Sequence, residues 1–330
     1  MKIYQTINIG NEFEKIEEEI EKLQGYNIYG LRFNLCKYSY DDLENAINNI
    51  LKYIEKYCCQ YHFAFDLPYP KNKSRIVGYS IDNDRIFEKH EYTITRNIKN
   101  SEQTNIIYMD EQTLFNEKNR ILYYGDGEGA FEVIEIKNDT IVVKALNTFQ
   151  IHKQKSITCG DLSNRHICFK VVKKILNIKL KYNPIFFFSF VENKEQILEF
   201  KNSFRDKKNC FDIISKIESV NDRTKIKEII NESSGALLAR GDMAMLLPMI
   251  EMLNICRFVT KECLKSDKRI FLATDVLSSL NMRKIPTRAD IIDIQVALEM
   301  GCTDVIIPYG FKEKGDFIKY IEYFSSTSSE

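Results

Sequence analysis

Several absences narrow what this chain can be. Charge imbalance is missing, because 47 Lys and Arg face 47 Asp and Glu over 330 residues. Without a global field there is no general pull on nucleic acid or an anionic membrane, and any basic site has to be local. Nine cysteines include the adjacent Cys58 and Cys59, yet no C-x-x-C pair and no zinc-like spacing occurs, so reduced thiols are expected. Long hydrophobic runs are missing too. The longest, IFFFSFV at 185–191, is far too short to cross a bilayer, and the N-terminal MKIYQTINIG has no hydrophobic signal region. The expectation is a soluble, cytoplasmic protein with no nucleic-acid or membrane partner. Low complexity is confined to the final SSTSSE, which reads as a frayed tail.

What is present is length and alternation. A chain of 330 residues can bury a sizeable core without disulfides. Short apolar runs predict strands at 2–7, 28–33, 62–66, 184–190, 211–215, 235–239, 269–273 and 304–307. Amphipathic stretches separate most of them. At 11–24, for example, Phe13, Ile16, Ile20 and Leu23 recur at helical spacing against a glutamate-rich face. Eight strands alternating with helices predict an α/β fold, a (β/α)8 TIM barrel. The interval between the third and fourth strands breaks this pattern. Residues 74–158 carry β-like runs, RILYYG, AFEVIEI and TIVVKAL, with turn pairs Asp126-Gly127 and Asn138-Asp139. A compact domain seldom tolerates so long a structureless loop, so a small inserted β-barrel domain over 71–159 is expected, with 1–70 and 160–330 forming the catalytic barrel.

Functional groups of such barrels collect at the C-terminal strand ends. Here those ends carry Arg32 and Asn34, Asp66, Lys216 and Glu218, Asp242, and Thr274 with Asp275. Strand alternation puts Lys216 and Glu218 on one side. Glu218 and Asp242, from neighbouring strands, could share a hard divalent cation such as Mg2+ or Mn2+. Arg32 and Lys216 would then offer positive charge to a phosphoryl group or an enolate. Each residue alone has a plainer reading, as a solvated strand end or, for Asp242, a helix cap. Complementary charges on five strand ends are harder to assign to solvation. Asp242 belongs to GALLARGDMAMLLP at 235–248, whose Arg-Gly-Asp would be an adhesion signal only on a secreted loop. Gly241 allows a tight strand-to-helix turn, and the N–H groups beyond it suit an anionic substrate group.

These residues carry a family resemblance. GLRFNL (30–35), FAFDLPYP (63–70), YYGDGEGAFEV (123–133), IISKIESV (213–220), GALLARGDM (235–243), FLATDVLSSL (271–280) and KIPTRADIID (284–293) stand in order along nearly the whole chain. The sequence resembles pyruvate kinase. The resemblance implies a barrel with an inserted β lid, here with Asp126, and phosphoryl transfer between phosphoenolpyruvate and ADP through a charge-rich transition state. It also implies catalytic roles for Arg32, Lys216 and Thr274, substrate contacts from these with Gly241 and Asp242, and magnesium on Glu218 and Asp242. Asn34, Lys37, Lys73, Arg75 and Lys153 would serve the nucleotide.

Departures from the family pattern set further expectations. Potassium-dependent members use Asn, Ser, Asp and Thr where this chain has Asn34, Cys36, Asp66 and Leu67. Lys71 stands where those members carry glutamate, so it is expected to substitute for potassium, although a lid-hinge surface residue is an equal reading. The Ser-Gly-Glu-Thr segment becomes YGFK, with Tyr309 and Phe311 in place of serine and glutamate, which weakens the proton relay. Lys37 replaces a histidine, Asn8-Ile9-Gly10 replaces Ile-Gly-Pro, and Met243-Ala244 replaces Leu-Gly. The chain ends where the family continues into an effector-binding domain, so control by sugar phosphates is not expected. A homodimer through barrel helices is expected by analogy. Two other readings stay open: a magnesium-dependent lyase acting on an oxaloacetate-like 2-oxo acid without nucleotide, and a catalytically silent binding protein. Intact Lys216, Glu218 and Asp242 argue against the last.

Overall fold

The computed structural model describes residues 1–7, 23, 26–35, 48–49, 52, 61–67, 73–96, 104–109, 121–125, 128–137, 140–153, 155–159, 169–177, 180–207, 210–281, 283, 285–308, 318–320 and 322–323. Contacts divide the chain into two units: Met1–Pro68 with Ile167–Met243 and Leu247–Glu330, and Tyr69–His166 with Ala244–Leu246. In chain order, β1 (Lys2–Ile7), β2 (Gly30–Asn34) and β3 (His62–Asp66) come first. The insertion supplies β4 (Lys73–Ser80), β5 (Arg85–Ile86), β6 (Glu91–Thr95), β7 (Ile106–Met109), β8 (Ile121–Tyr124), β9 (Gly129–Lys137), β10 (Thr140–Ala145), β11 (Phe149–Gln150) and β12 (Ser156–Cys159). The first unit resumes with β13 (Ile185–Phe188), β14 (Asp212–Ile217), β15 (Gly235–Ala239), β16 (Arg269–Ala273) and β17 (Asp304–Ile307).

The eight strands of the first unit pair in parallel, in the order β1-β17-β16-β15-β14-β13-β3-β2, and close on themselves. With the inserted β unit, this is the expected (β/α)8 architecture. Parallel barrel strands are covered on both faces, which is why they read as short continuous apolar runs. Tyr4, Ala64, Phe187, Ile214, Leu237 and Phe271 fill the interior. Their neighbours Leu31, Phe33, Phe65, Phe186, Leu238 and Leu272 point outward to helix residues such as Ile226, Ile229, Ile255 and Val259. Each fully buried Phe or Leu contributes roughly 1.5–3 kcal/mol.

Strand limits move where backbone geometry decides. The second strand begins at Gly30, not 28, and a Cβ at Gly30 would lie 2.4 Å from Tyr4 Cε1 and 2.7 Å from the His62 carbonyl oxygen. Only glycine lets the Tyr4 ring enter the barrel at this point. The fourth stops at Phe188, not 190, because Phe190 has φ 52° and turns the chain. The fifth covers 212–217 where 211–215 was expected, since the inward alternation of Ile214 continues through Lys216.

Three helix starts of the first unit are set by side-chain caps. Asn193 and Gln196 form a reciprocal capping box before Lys194–Ser203, and Asp222 accepts from the Thr224 and Lys225 N–H groups. Thr287 and Asp290 do the same before Arg288–Glu299. Among the described residues, no helix is long and apolar enough to cross a membrane. The helix expected at 11–24 lies outside the described residues, apart from Leu23.

The inserted unit is a second closed barrel, β10-β6-β7-β4-β12-β8-β9, with β11 and β5 paired beside it. The runs RILYYG, AFEVIEI and TIVVKAL fall on β8, β9 and β10. Pairing is antiparallel except between β6 and β7. Ile94, Ile107, Leu122, Tyr124, Phe131 and Val143 form its core. Alternation is strict in β10, whose Ile141, Val143 and Ala145 are buried. The turn pairs at 126–127 and 138–139 lie outside the described residues.

Candidate active site

The parallel strands bring their C-terminal ends to one rim, and the buried charges gather there. Asp66, last in β3, has a side chain only 2 % exposed and is central. Its Oδ2 accepts from Arg32 Nη2, while its Oδ1 lies 3.8 Å from Lys216 Nζ and accepts from Ser189 Oγ at 3.5 Å. Arg32 also donates from Nη1 to Thr6 Oγ1 at 3.1 Å. Lys216 donates to Ser189 Oγ at 3.0 Å and lies 2.9 Å from Glu218 Oε1. The Arg32 and Lys216 side chains are 16 % and 14 % exposed. Two partly open cations are thus held from behind by a buried carboxylate, the preorganised charge that a phosphoryl or enolate transition state requires.

Glu218 is the deepest acid of the group, with a fully buried side chain. Oε2 accepts from the Phe190 N–H, whose φ of 52° is unusual for a bulky residue. Oε1 accepts no hydrogen bond of good geometry, although Lys216 is beside it. Burial pushes the Glu218 carboxyl up to about 8; the Lys216 charge opposes this and the Asp242 charge adds to it. A buried carboxylate paired with one ammonium, and close enough to a second carboxylate to feel its field, is the donor chemistry that Mg2+ or Mn2+ takes. Glu218 and Asp242 therefore fit a divalent cation completed by water and substrate oxygens. No cluster of three or more His, Cys, Asp or Glu in metal-binding proximity occurs among the described residues.

Asp242 follows β15 on the helix Arg240–Leu246. It does not cap that helix: the N-cap is Ala239, and no side chain caps it. Gly241, in the first turn, is buried. Thr274 follows β16 with φ 66°, and Asp275 with φ 55°, both in the left-handed region. Arg240 ties these segments together, donating from Nη2 to the Thr274 carbonyl oxygen at 2.8 Å and pairing through Nη1 with Asp293.

The expected residues are only partly brought together. Arg32, Lys216 and Glu218 form one connected cluster, with Asp242 within electrostatic reach. Asn34 ends β2, opposite Asp66 in register. Arg75 on β4 and the exposed Lys153 belong to the inserted unit, as does the backbone of Lys73. Lys37, Lys71, Cys36, Asp126, Tyr309 and Phe311 lie outside the described residues. Sequence reasoning missed Thr6, Ser189 and the structural weight of Asp66. Ser189 carried one signal: it is the polar residue in IFFFSFV, where an inward-facing position meets the strand end.

The fold is a (β/α)8 barrel that gathers buried and half-buried charges at the C-terminal ends of its strands. Comparison with known proteins narrows this. The family description "Pyruvate kinase, barrel domain" matches residues 2–319, and the chain belongs to that family. The pyruvate kinase of Candida albicans is 27 % identical over 307 residues, covering 90 % of this chain and 60 % of the relative. Pyruvate kinase 1 of Saccharomyces cerevisiae is 27 % identical over 302 residues, covering 89 % and 59 %. The chain thus spans about 60 % of the length of these relatives. The crystal structure of Cryptosporidium parvum pyruvate kinase matches 99 % of this chain and 70 % of its own with a TM-score of 0.77, at 20 % identity. That likeness concerns the fold.

Proposed function

We propose that this protein catalyses magnesium-dependent phosphoryl transfer between phosphoenolpyruvate and a nucleoside diphosphate, the pyruvate kinase reaction. The observation that carries the reading is the Arg32–Asp66–Lys216–Glu218 cluster on the barrel rim. Arg32 binds the phosphoryl group of phosphoenolpyruvate, and Lys216 stabilises its charge during transfer. Asp66 and Ser189 keep both cations aimed, so that little reorganisation is needed when charge moves. Glu218 and Asp242 hold the divalent cation. When bound, Mg2+ supplies further positive charge to phosphate and enolate oxygens. Gly241 is proposed to meet the substrate carboxylate through the backbone N–H groups of the helix start, and Thr274 is proposed to stand near the enolate carbon that gains a proton. Asn34, Lys37, Lys73, Arg75 and Lys153 are each proposed, from the family resemblance, as nucleotide contacts. The chain is proposed to act in the cytoplasm as a homodimer.

We further propose that the reaction needs no potassium. Leu67 offers no side-chain oxygen at one of the four family positions, and the Asp66 charge is already met by Arg32 and Lys216. The lyase reading uses the same metal and lysine, and no specific observation favours it.

The test is phosphorus NMR of the protein with phosphoenolpyruvate, ADP and Mg2+, in potassium or tetramethylammonium salts. ATP and pyruvate should form in both, and ATP formation should vanish in Lys216→Met. Failure to form ATP overturns the kinase reading, and release of pyruvate and carbon dioxide from oxaloacetate would replace it with the lyase. A requirement for potassium overturns the second proposal alone.

A further inference from the structure

The arginine of Arg-Gly-Asp has no part in the chemistry above, yet it is held by two partners from different segments near the rim. Its side chain is 18 % exposed, and its guanidinium spans two segments. Nη2 donates to the Thr274 carbonyl oxygen at 2.8 Å, and Nη1 pairs with Asp293 on the helix Arg288–Glu299. The segment it grips is strained, because Thr274, Asp275 and Leu277 have φ of 66°, 55° and 51°. A β-branched residue in the left-handed region persists only where its surroundings hold it there. The far end of the same segment is tied to the same helix. Asp290 Oδ2 accepts from Ser279 Oγ, from Thr287 Oγ1 and from the Thr287 N–H at 2.8 Å. Asp290 and Asp293 are three residues apart and share one helix face. The loop after β16 is thus fastened at both ends, and Arg240 is the fastening next to Thr274.

We propose that Arg240 is a positioning residue that holds Thr274 in its left-handed conformation through the Thr274 carbonyl, with Asp293 fixing the guanidinium. A planar fork can grip two acceptors at once, which a lysine ammonium on a flexible stem does less well. The catalytic consequence rests on the role given above to Thr274, whereas the geometric claim does not. Because Arg240 acts through the residue placed beside the protonated carbon, its loss should lower kcat far more than it changes KM for phosphoenolpyruvate.

The test combines amide hydrogen exchange with steady-state kinetics on Arg240→Met, Arg240→Lys and Asp293→Asn. In Arg240→Met, exchange over 274–281 should accelerate by about tenfold or more, the loss expected for a charge-assisted hydrogen bond, while exchange in β6 and β10 stays as in the wild type. kcat should fall about 10–100-fold with KM within about twofold, as for a misplaced catalytic group. Arg240→Lys should fall between the wild type and Arg240→Met, and Asp293→Asn should give a smaller acceleration in the same segment. Unchanged exchange over 274–281 overturns the proposal, as does full recovery by lysine. A rise in KM at constant kcat overturns it as well. If the wild-type protein forms no ATP, the kinase reading fails and the exchange measurement still decides whether Arg240 holds Thr274.

Discussion

Replacing Lys216 by methionine separates the charge this lysine is proposed to supply to the reaction from the support it gives the site. Its Nζ lies 2.9 Å from Glu218 Oε1 and 3.8 Å from Asp66 Oδ1. At an effective dielectric constant near 20, such contacts are worth on the order of 4–6 kcal/mol each before desolvation is set against them. Removing the ammonium does not strand that much charge. Asp66 keeps Arg32, and Glu218, already held above the ordinary carboxylate range by burial, takes up a proton more readily still. The stability cost near neutral pH should therefore fall below the roughly 3–5 kcal/mol of a broken buried pair. Metal binding should survive, because the lysine competes with the cation for Glu218. Mn2+ affinity, measured by electron paramagnetic resonance, should stay within about threefold of wild type or tighten, since the removed ammonium repels the cation. Turnover should not survive. Loss of a cation that stabilises a phosphoryl transition state costs about 10³-fold or more, read as luciferase-detected ATP. Turnover within tenfold of wild type would refute the role given to Lys216. Joint loss of Mn2+ binding and turnover would refute the separation, showing that the lysine only props the site.

Three further outcomes follow from other parts of the structure. Arg269→Met leaves the fully buried Asp304 with the Thr303 hydroxyl at 2.6 Å but without its guanidinium partner, and should cost roughly 3–5 kcal/mol in urea unfolding; a loss under about 1 kcal/mol would mean the pair is replaceable. His62 is stacked between Tyr29 and Tyr182 at 4.1 and 4.0 Å, and burial, then Arg269 and Lys2, lower its pKa. The folded protein therefore resists a proton that the unfolded chain accepts, so stability is full above pH about 6.5 and declines as pH falls below it. His62→Phe should flatten that decline in denaturation midpoints taken across the range, and an unchanged slope would exclude His62 as its source. Burial pushes the Cys256 thiol up to about 11 and those of Cys263 and Cys302 up to about 12, so iodoacetamide near pH 8 should label the exposed Cys210 and spare these three until the protein unfolds.

The barrel was readable because its strands are covered on both faces. A run such as GALLA or IFFFSF has no amphipathic phase to confuse, and its ends are marked by the first charged or small residue. The limits were less readable where one backbone angle decides them, as at Phe190. The same contrast holds at the site. Lys216 and Glu218 could be paired from sequence because two residues apart on one strand is a contact the alternation dictates. The contact of Arg32 with Asp66 spans 34 positions and that of Ser189 with Asp66 spans 123, so only closure of the barrel reveals them. The partner of Glu218 Oε2 is a backbone N–H, which no side-chain pattern reports.

Arg-Gly-Asp shows why this division matters for function. Read as a string, its three residues suggest one motif with one purpose. In the fold they separate, because the chain passes from a buried strand into a helix that starts at Arg240 itself. The arginine turns to the loop after β16 and to Asp293, the glycine is buried in the first helical turn, and the aspartate lies within the field of Glu218. Substituting any one should therefore fail in its own way: loop order for Arg240, substrate affinity for Gly241 and metal affinity for Asp242. A protein in which all three substitutions failed alike would have a site organised differently from the one these contacts describe.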